Sequence, residues 1–164
     1  MNIQHELESK FGSEYGPEEE AAIVSVLRNY APTSGQLCTD FEAAFANYCG
    51  TNHARAVSNG TAALFLSLLG VGVKPGVKML TTPMTWIATA AAGVTLGAEV
   101  DFVDIDPETY NLDAAKLADK MTPDVKAIVP VHLYGQCCDM DAILEIAHAH
   151  GAAVIEDACH AVGA

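Results

Sequence analysis

The first group of residues that could do chemistry is Ser-Asn-Gly-Thr-Ala at positions 58–62. We predict that this segment is a loop between a strand and a helix. Backbone N–H groups, a hydroxyl and the positive end of a helix dipole can bind a phosphate at such a place. A plain turn capped by Ser58 or Thr61 would explain the same residues, and taken alone the segment favours that simpler interpretation.

The second and third groups are an aromatic ring and a carboxylate. Trp86, the single tryptophan, begins a predicted helix just after a strand end, where its indole could stack on a planar ring or simply pack in the core or at an interface. Asp157 ends the apolar run 154–156, and a carboxylate there needs a partner, because burying it unpaired is costly. That partner could be a helix-end amide, a lysine or the protonated ring nitrogen of a cofactor.

Four more polar residues lie close to these groups in the sequence. His160 could hydrogen-bond the same ligand or cap the end of the chain. His132 and Tyr134 follow a predicted strand, so they either face the same crevice or serve the fold. Glu156 points away from Asp157 if the strand pleat persists, and we expect it to be a structural acceptor.

A phosphate loop, an aromatic platform and a strand-end aspartate together meet the requirements of pyridoxal 5'-phosphate. The phosphate needs N–H donors and the ring needs a stacking face. The pyridine nitrogen needs an anion that keeps it protonated, so that the ring can act as an electron sink. The sequence therefore predicts this cofactor. An unrelated nucleotide-binding domain would need a G-x-G-x-x-G fingerprint after the first strand, and that fingerprint is absent from the sequence.

The elements that position these groups alternate along the chain. Strands are predicted at 54–57, 77–80, 99–103, 126–131 and 154–156. Helices are predicted at 17–29, from a cap at Thr39 or Asp40 to Gly50, and at 62–69, 85–96, 112–121 and 139–150. Short apolar strands separated by helices form parallel βαβ units. We therefore predict an α/β fold of three layers, αβα, with a mostly parallel sheet. Ligands of such a fold bind at the carboxyl ends of the strands.

Composition narrows the class of protein. The 164 residues suit one domain, and no run approaches the roughly 18 apolar residues of a membrane helix. A net charge of -13 disfavours nucleic acid and anionic membranes as partners. The start of the chain lacks the pattern of a secretory signal, and the five cysteines lack paired C-x-x-C spacing. We expect a cytoplasmic protein with reduced thiols and no bound metal.

Six segments resemble the DegT/DnrJ/EryC1/StrS aminotransferases. They are Ser-Asn-Gly-Thr-Ala-Ala-Leu at 58–64, Thr-Pro-Met-Thr-Trp-Ile-Ala-Thr-Ala at 82–90, Phe-Val-Asp-Ile-Asp at 102–106, Pro-Val-His-Leu-Tyr-Gly at 130–135, Asp-Met-Asp at 139–141 and Ile-Glu-Asp-Ala-Cys-His-Ala at 155–161. The resemblance extends from about residue 17 to the end. It implies a fold-type I pyridoxal-phosphate enzyme, a homodimer that moves an amino group, with glutamate as the expected donor, to a nucleotide-linked keto-sugar in cell-surface polysaccharide or amino-sugar biosynthesis.

The resemblance also implies roles for nine residues. Trp86 stacks on the cofactor ring, Asp157 pairs with the pyridinium nitrogen, and His160 lies near the phenolic oxygen. The cofactor phosphate is held by Gly60, Thr61 and Ala62. The substrate site is bordered by Thr33, Ser34 and Gly35.

The resemblance covers only the N-terminal portion of the family. It implies an N-terminal arm at 1–16 and a partial large domain at 17–164. The lysine that forms the Schiff base lies beyond residue 164, so no catalytic residue is assigned here and we expect these 164 residues alone to be inactive. Two strands of the family sheet also lie beyond it. We therefore expect the strand at 54–57 to be separated from its neighbours, the phosphate loop to be separated from Asp157, and residues 154–156 to form an open edge.

Two other interpretations remain open at this point. The chain could be a non-catalytic binding or dimerisation module whose partner supplies the missing lysine and strands. It could also come from a pyridoxamine-dependent sugar dehydratase, a relative in which histidine replaces the lysine.

Overall fold

The computed structural model describes residues 15–30 and 35–164. They fall into two compact units, with the boundary between Ala56 and Val57. Thr33 and Ser34 lie outside the described residues, so their place at a substrate site stays a prediction. Within the described ranges, no helix has the length and apolar character needed to cross a membrane.

The described part of the first unit, which ends at Ala56, contains two helices, α1 (Pro17–Asn29) and α2 (Gln36–Cys49). Pro17 occupies the first turn of α1, as predicted, and the Glu19 carboxylate accepts a hydrogen bond from the N–H of Gly16 at 2.7 Å. That hydrogen bond lowers the pKa of Glu19. Helix α2 begins earlier than the predicted cap at Thr39 or Asp40, because Gly35 occupies the N-cap position and its carbonyl accepts the first helical hydrogen bond.

The second unit is a parallel sheet covered by helices. Its elements are α3 (Gly60–Gly70), β1 (Lys78–Thr81), α4 (Ile87–Thr95), β2 (Glu99–Phe102), α5 (Ala114–Lys120), β3 (Val125–Val129), α6 (Met140–His150) and β4 (Ala153–Val154). The strands lie in the order β2-β1-β3-β4, and each neighbouring pair is parallel. The predicted α/β class with a parallel sheet is confirmed.

The two faces of the sheet bury different side chains. Leu80 and Ile128 pack with α5 and α6 on one face, whereas Met79 and Ala127 pack with α3 and α4 on the other. Consecutive strand residues point to opposite faces, so Met79 and Leu80 enter separate cores. The result is the predicted arrangement of helix, sheet and helix layers.

Residues 54–57 do not form the predicted strand. An apolar run becomes a strand only where a neighbour accepts and donates its backbone hydrogen bonds, and none of the described strands pairs with this one. Strand β4 is shorter than predicted, but an isolated parallel bridge between Val131 and Asp157 extends the pairing of this segment with the one that follows β3. Strand β4 is the edge of the described sheet, as expected.

Candidate functional site

A cavity of about 530 Å³ opens at the carboxyl ends of the strands, within the unit Val57–Ala164. Its walls are the residues that follow β1, β3 and β4, together with the first residues of α3. Five of the predicted cofactor residues line it: Gly60, Thr61, Trp86, Asp157 and His160. Ala62 does not line the cavity, and Gly35 belongs to the other unit.

The first turn of α3 presents backbone amides to the cavity. The simpler interpretation, a turn capped by Ser58 or Thr61, named the wrong cap: the side chain of Asn59 caps α3, and its Oδ1 accepts a hydrogen bond from the N–H of Ala62 at 2.9 Å. Within the described residues the N–H groups of Gly60 and Thr61 have no acceptor. Two amides at the positive end of a helix are therefore free to bind an anion.

The loop before α3 lies close to Asp157, contrary to the expected separation. A Cβ atom built on Gly60 would lie 3.1 Å from Cys159 Sγ, and both residues line the same cavity as Asp157. The reason is helix packing. Leu64 and Leu68 of α3 are buried in the core with Met79 of β1, so the position of α3 does not depend on a strand at 54–57.

Asp157 is a buried residue whose backbone N–H and carbonyl are both hydrogen-bonded. It is 6% exposed. Its N–H donates to the carbonyl of Pro130 at 2.9 Å, and its carbonyl accepts from the N–H of His132 at 3.1 Å. Its side chain accepts from Thr89 Oγ1 at 2.7 Å and from the N–H of Cys159 at 3.4 Å. No lysine or arginine within the described ranges forms an ion pair with it.

The Asp157 carboxylate changes the chemistry of the neighbouring thiol. It accepts a hydrogen bond from Cys159, and this bond, with burial and the nearby negative charge, raises the pKa of the Cys159 thiol to about 11. All three effects penalise the thiolate. Cys159 therefore contributes a neutral S–H beside the carboxylate.

Thr89 is a site residue that the sequence analysis did not single out. It is fully buried, donates to Asp157, and lies 2.8 Å from the hydroxyl of Thr85. Thr85 lies in the bend before α4 and Thr89 lies in the first turn of that helix, four residues further along the chain. The spacing was visible in the sequence, but the contact with a carboxylate 68 positions away was not.

Aromatic side chains form the open part of the cavity. The Trp86 indole, at the N-cap of α4, is 79% exposed. Tyr134 and His160 stack with their planes 3° apart and their ring centroids at 6.2 Å. Tyr134 has a left-handed backbone, with φ 55°, a conformation that costs energy for a residue with a Cβ. This strained turn holds the Tyr134 ring at the cavity wall.

His132 lines the cavity, as one prediction had it, and also stabilises the fold. It is 2% exposed, and its Nδ1 accepts a hydrogen bond from the N–H of Cys138 at 3.1 Å. Since Nδ1 is an acceptor, the proton is on Nε2, which donates to Glu156 Oε2 at 2.8 Å. Glu156 is therefore a structural hydrogen-bond acceptor, as predicted. Asn111, also missed, ties the same turn by accepting from the N–H of Leu133 at 3.1 Å.

The arrangement fits pyridoxal 5'-phosphate. A buried anion without a cationic partner among the described residues suits a protonated ring nitrogen. Free amides at the start of α3 suit a phosphate, and the exposed Trp86 indole suits a flat ring. All three line one cavity large enough for a small cofactor.

Comparison with known proteins gives consistent results. The family model described as the DegT/DnrJ/EryC1/StrS aminotransferase family matches residues 13–164. GDP-perosamine synthase of Caulobacter vibrioides is 48% identical over 149 residues, which is 91% of this chain and 40% of that protein. Spore coat polysaccharide biosynthesis protein SpsC of Bacillus subtilis is 46% identical over 147 residues, 90% of this chain and 38% of that protein. The chain spans about 40% of the length of these relatives.

One solved structure bears directly on the cavity. The crystal structure of GDP-4-keto-6-deoxymannose-3-dehydratase with a trapped PLP-glutamate geminal diamine matches with a TM-score of 0.87 and 31% identity. The match covers 96% of this chain and 42% of that one. The backbone of this chain is therefore similar to that of a protein whose crystal structure contains pyridoxal phosphate joined to glutamate.

Proposed function

The chain belongs to the DegT/DnrJ/EryC1/StrS aminotransferase family, and we propose that its cavity binds pyridoxal 5'-phosphate as part of a sugar aminotransferase. The main support is Asp157, a buried carboxylate that lines the cavity without a cationic partner among the described residues. A buried charge of this kind is strongly unfavourable unless something pairs with it. A pyridinium nitrogen is the cation that this family and this cavity both favour.

Different residues around Asp157 bind different parts of the cofactor. The amides of Gly60 and Thr61 bind the cofactor phosphate, and the amide of Ala62 keeps its bond to the Asn59 cap. The Trp86 indole stacks on the ring, and His160 lies near the phenolic oxygen. When bound, the cofactor supplies an electron sink for cleavage of bonds next to an amino group. The chain's own part is to hold the ring nitrogen protonated through Asp157.

The substrate class follows from the relatives. The family name and the GDP-perosamine synthase support an amino transfer to a nucleotide-linked keto-sugar, and the spore coat protein supports a place in polysaccharide biosynthesis. We place Thr33, Ser34 and Gly35 at the substrate site and take glutamate as the donor. Residues 17–164 form part of the large domain of a homodimer. Five free cysteines support a reducing compartment such as the cytoplasm.

The 164 residues alone are inactive in this proposal. Among the described residues that line the cavity there is no lysine, and a lysine amine is the group that forms a Schiff base with this cofactor. About 60% of the length of GDP-perosamine synthase lies outside the match, which covers 40% of that protein.

Borohydride trapping tests this proposal. The purified chain is incubated with pyridoxal 5'-phosphate, reduced with borohydride and analysed by intact mass and peptide mapping, alongside an unreduced sample dialysed to measure bound cofactor. We expect reversible binding without a specific reduced adduct. A stoichiometric adduct on one lysine would contradict the claim that the chain lacks its own Schiff-base residue. Absence of any bound cofactor would contradict the site itself.

A sugar dehydratase is the second candidate, because the dehydratase structure matches this chain over 96% of its length. Both reactions need the same cofactor cavity, and the chain's described residues serve either one. The products distinguish them: the whole protein yields an amino-sugar nucleotide in one case and a deoxy-sugar nucleotide without new nitrogen in the other. Mass spectrometry of the product decides between them.

A further inference from the structure

Resting on the proposed cofactor site, we infer that Thr89 is a positioning residue that holds the Asp157 carboxylate in the orientation required by the ring nitrogen. Thr89 Oγ1 lies 2.7 Å from Asp157 Oδ2, and Thr85 Oγ1 lies 2.8 Å from Thr89 Oγ1. Thr89 is 0% exposed and Asp157 is 6% exposed. Water therefore has little access to replace these hydrogen bonds, and the interaction is stronger than it would be at a surface.

The direction of the hydrogen bonds is determined by the chemistry of the groups. An ionised carboxylate only accepts, so the Thr89 hydroxyl must donate its single proton to Asp157. The Thr89 oxygen then accepts from the Thr85 hydroxyl. The two threonines form a directed chain that starts at the cavity wall, where Thr85 lies, and ends on the carboxylate.

These two hydrogen bonds fix the orientation of the Asp157 carboxylate and leave lone pairs of that carboxylate available to a ligand. A carboxylate has about four lone-pair positions, and the described hydrogen bonds use one on Oδ2, from Thr89, and one on Oδ1, from the N–H of Cys159. The bond to Thr89 restrains rotation of the carboxylate plane before any ligand arrives. Pre-orientation of this kind lowers the entropy lost on binding.

A pair of cofactor analogues can measure this effect. The dissociation constants of pyridoxal 5'-phosphate and of its analogue with carbon in place of the ring nitrogen are measured by calorimetry on the 164-residue chain. Their ratio isolates the contact between Asp157 and the nitrogen, because phosphate binding and ring stacking are common to both compounds. The wild-type chain is expected to prefer the compound with the nitrogen.

The variant Thr89→Val removes the hydroxyl and keeps the shape of the side chain. We expect it to lower the preference for the nitrogen compound about tenfold, which is near the lower end of the effect of one hydrogen bond to a charged group. Thr89→Ser keeps the hydroxyl and should retain the wild-type preference. Thr81→Val is the matched control: Thr81 is equally buried but donates to the backbone carbonyl of Val129 at 2.8 Å, so the ratio should not change.

A preference that stays at the wild-type value in Thr89→Val, or that rises, overturns the inference and leaves the cofactor site standing. A wild-type chain that binds neither compound, or binds both equally, contradicts the proposed function and the inference with it. If circular dichroism shows that Thr89→Val does not fold, Thr85→Val decides. Thr85→Val keeps the Thr89 hydroxyl but removes the hydroxyl that donates to it. A ratio of dissociation constants that stays at the wild-type value in Thr85→Val also overturns the inference.

Discussion

The thiol of Cys159 reports on the charge of Asp157. Their hydrogen bond, followed in size by burial and then by charge repulsion, raises the pKa of Cys159 to about 11. Thiolate is the reactive form of cysteine, so Cys159 should react slowly with alkylating reagents in spite of its exposure at the cavity. The alkylation rate of Cys159 therefore reports how strongly Asp157 raises the pKa of the thiol.

We predict that iodoacetamide modifies Cys159 slowly at pH 8.5 and that the rate rises as the pH approaches 11. Asp157→Asn removes the negative charge, so the pKa of Cys159 falls and its alkylation at pH 8.5 should accelerate about tenfold for each unit by which the pKa drops. Peptide mass mapping gives the rates, with the exposed Cys137 as internal reference. Equal rates for Cys159 in the wild type and Asp157→Asn would refute the prediction.

The roles of single residues were predictable to different degrees. The position of Trp86 and Asp157 at the cavity could be predicted from sequence, because each stands at the junction of an apolar strand and the next element, where open α/β sheets bind ligands. Thr89 could not be assigned, because nothing near it in sequence indicates that its hydroxyl meets a carboxylate 68 residues away. Asn59 was missed as a cap because Ser58 and Thr61 are equally good candidates by type.

At the scale of elements, helix α4 positions the site, because it presents both Trp86 and Thr89. Its close approach to the sheet depends on Gly93. A Cβ at this position would lie 2.8 Å from Met79 Sδ and 3.0 Å from Val100 Cγ2. Met79 is fully buried, so it has little room to move away. The glycine therefore determines the depth at which α4 sits on β1 and β2.

Gly93→Ala should destabilise the protein by about 1 kcal/mol, because the cost of overpacking exceeds the gain in helix propensity. We expect weaker binding of pyridoxal 5'-phosphate as well, since α4 must shift with Thr89. The control is Gly70→Ala, at the end of α3, where an added Cβ would have no neighbour within 4 Å; its stability should be unchanged or higher. Urea unfolding followed by circular dichroism measures both. Equal midpoints for the two variants would show that the close packing at Gly93 does not matter.

Elements whose signals are local were predicted well. Helix α1 begins at Pro17 and ends at Asn29, α2 ends at the left-handed Gly50, and α6 ends at His150, all as the sequence predicted. The segment 54–57 was predicted wrongly, because its strand character depends on a partner that the segment itself does not reveal. The same error led to the expectation that the phosphate loop would lie far from Asp157.

For the molecule as a whole, the alternation of strands and helices was sufficient to predict the layers and the position of the cavity. Short apolar strands such as Val125–Val129 are recognisable because both faces of the sheet are covered. The order β2-β1-β3-β4 was not predicted, because periodicity within one strand does not identify its neighbours. The proposed function depends on the whole assembly, in which three separate strand ends and one helix start meet in a single cavity.

The most direct test of this account is the nitrogen NMR signal of pyridoxal 5'-phosphate labelled with ¹⁵N in its ring and bound to the 164-residue chain. We predict that the bound nitrogen is protonated through Asp157 in the wild type and in the Thr81→Val control, and that the signal moves to the position of an unprotonated pyridine in Asp157→Asn. The same bound signal in the wild type and in Asp157→Asn would contradict the central claim that this carboxylate pairs with the cofactor ring.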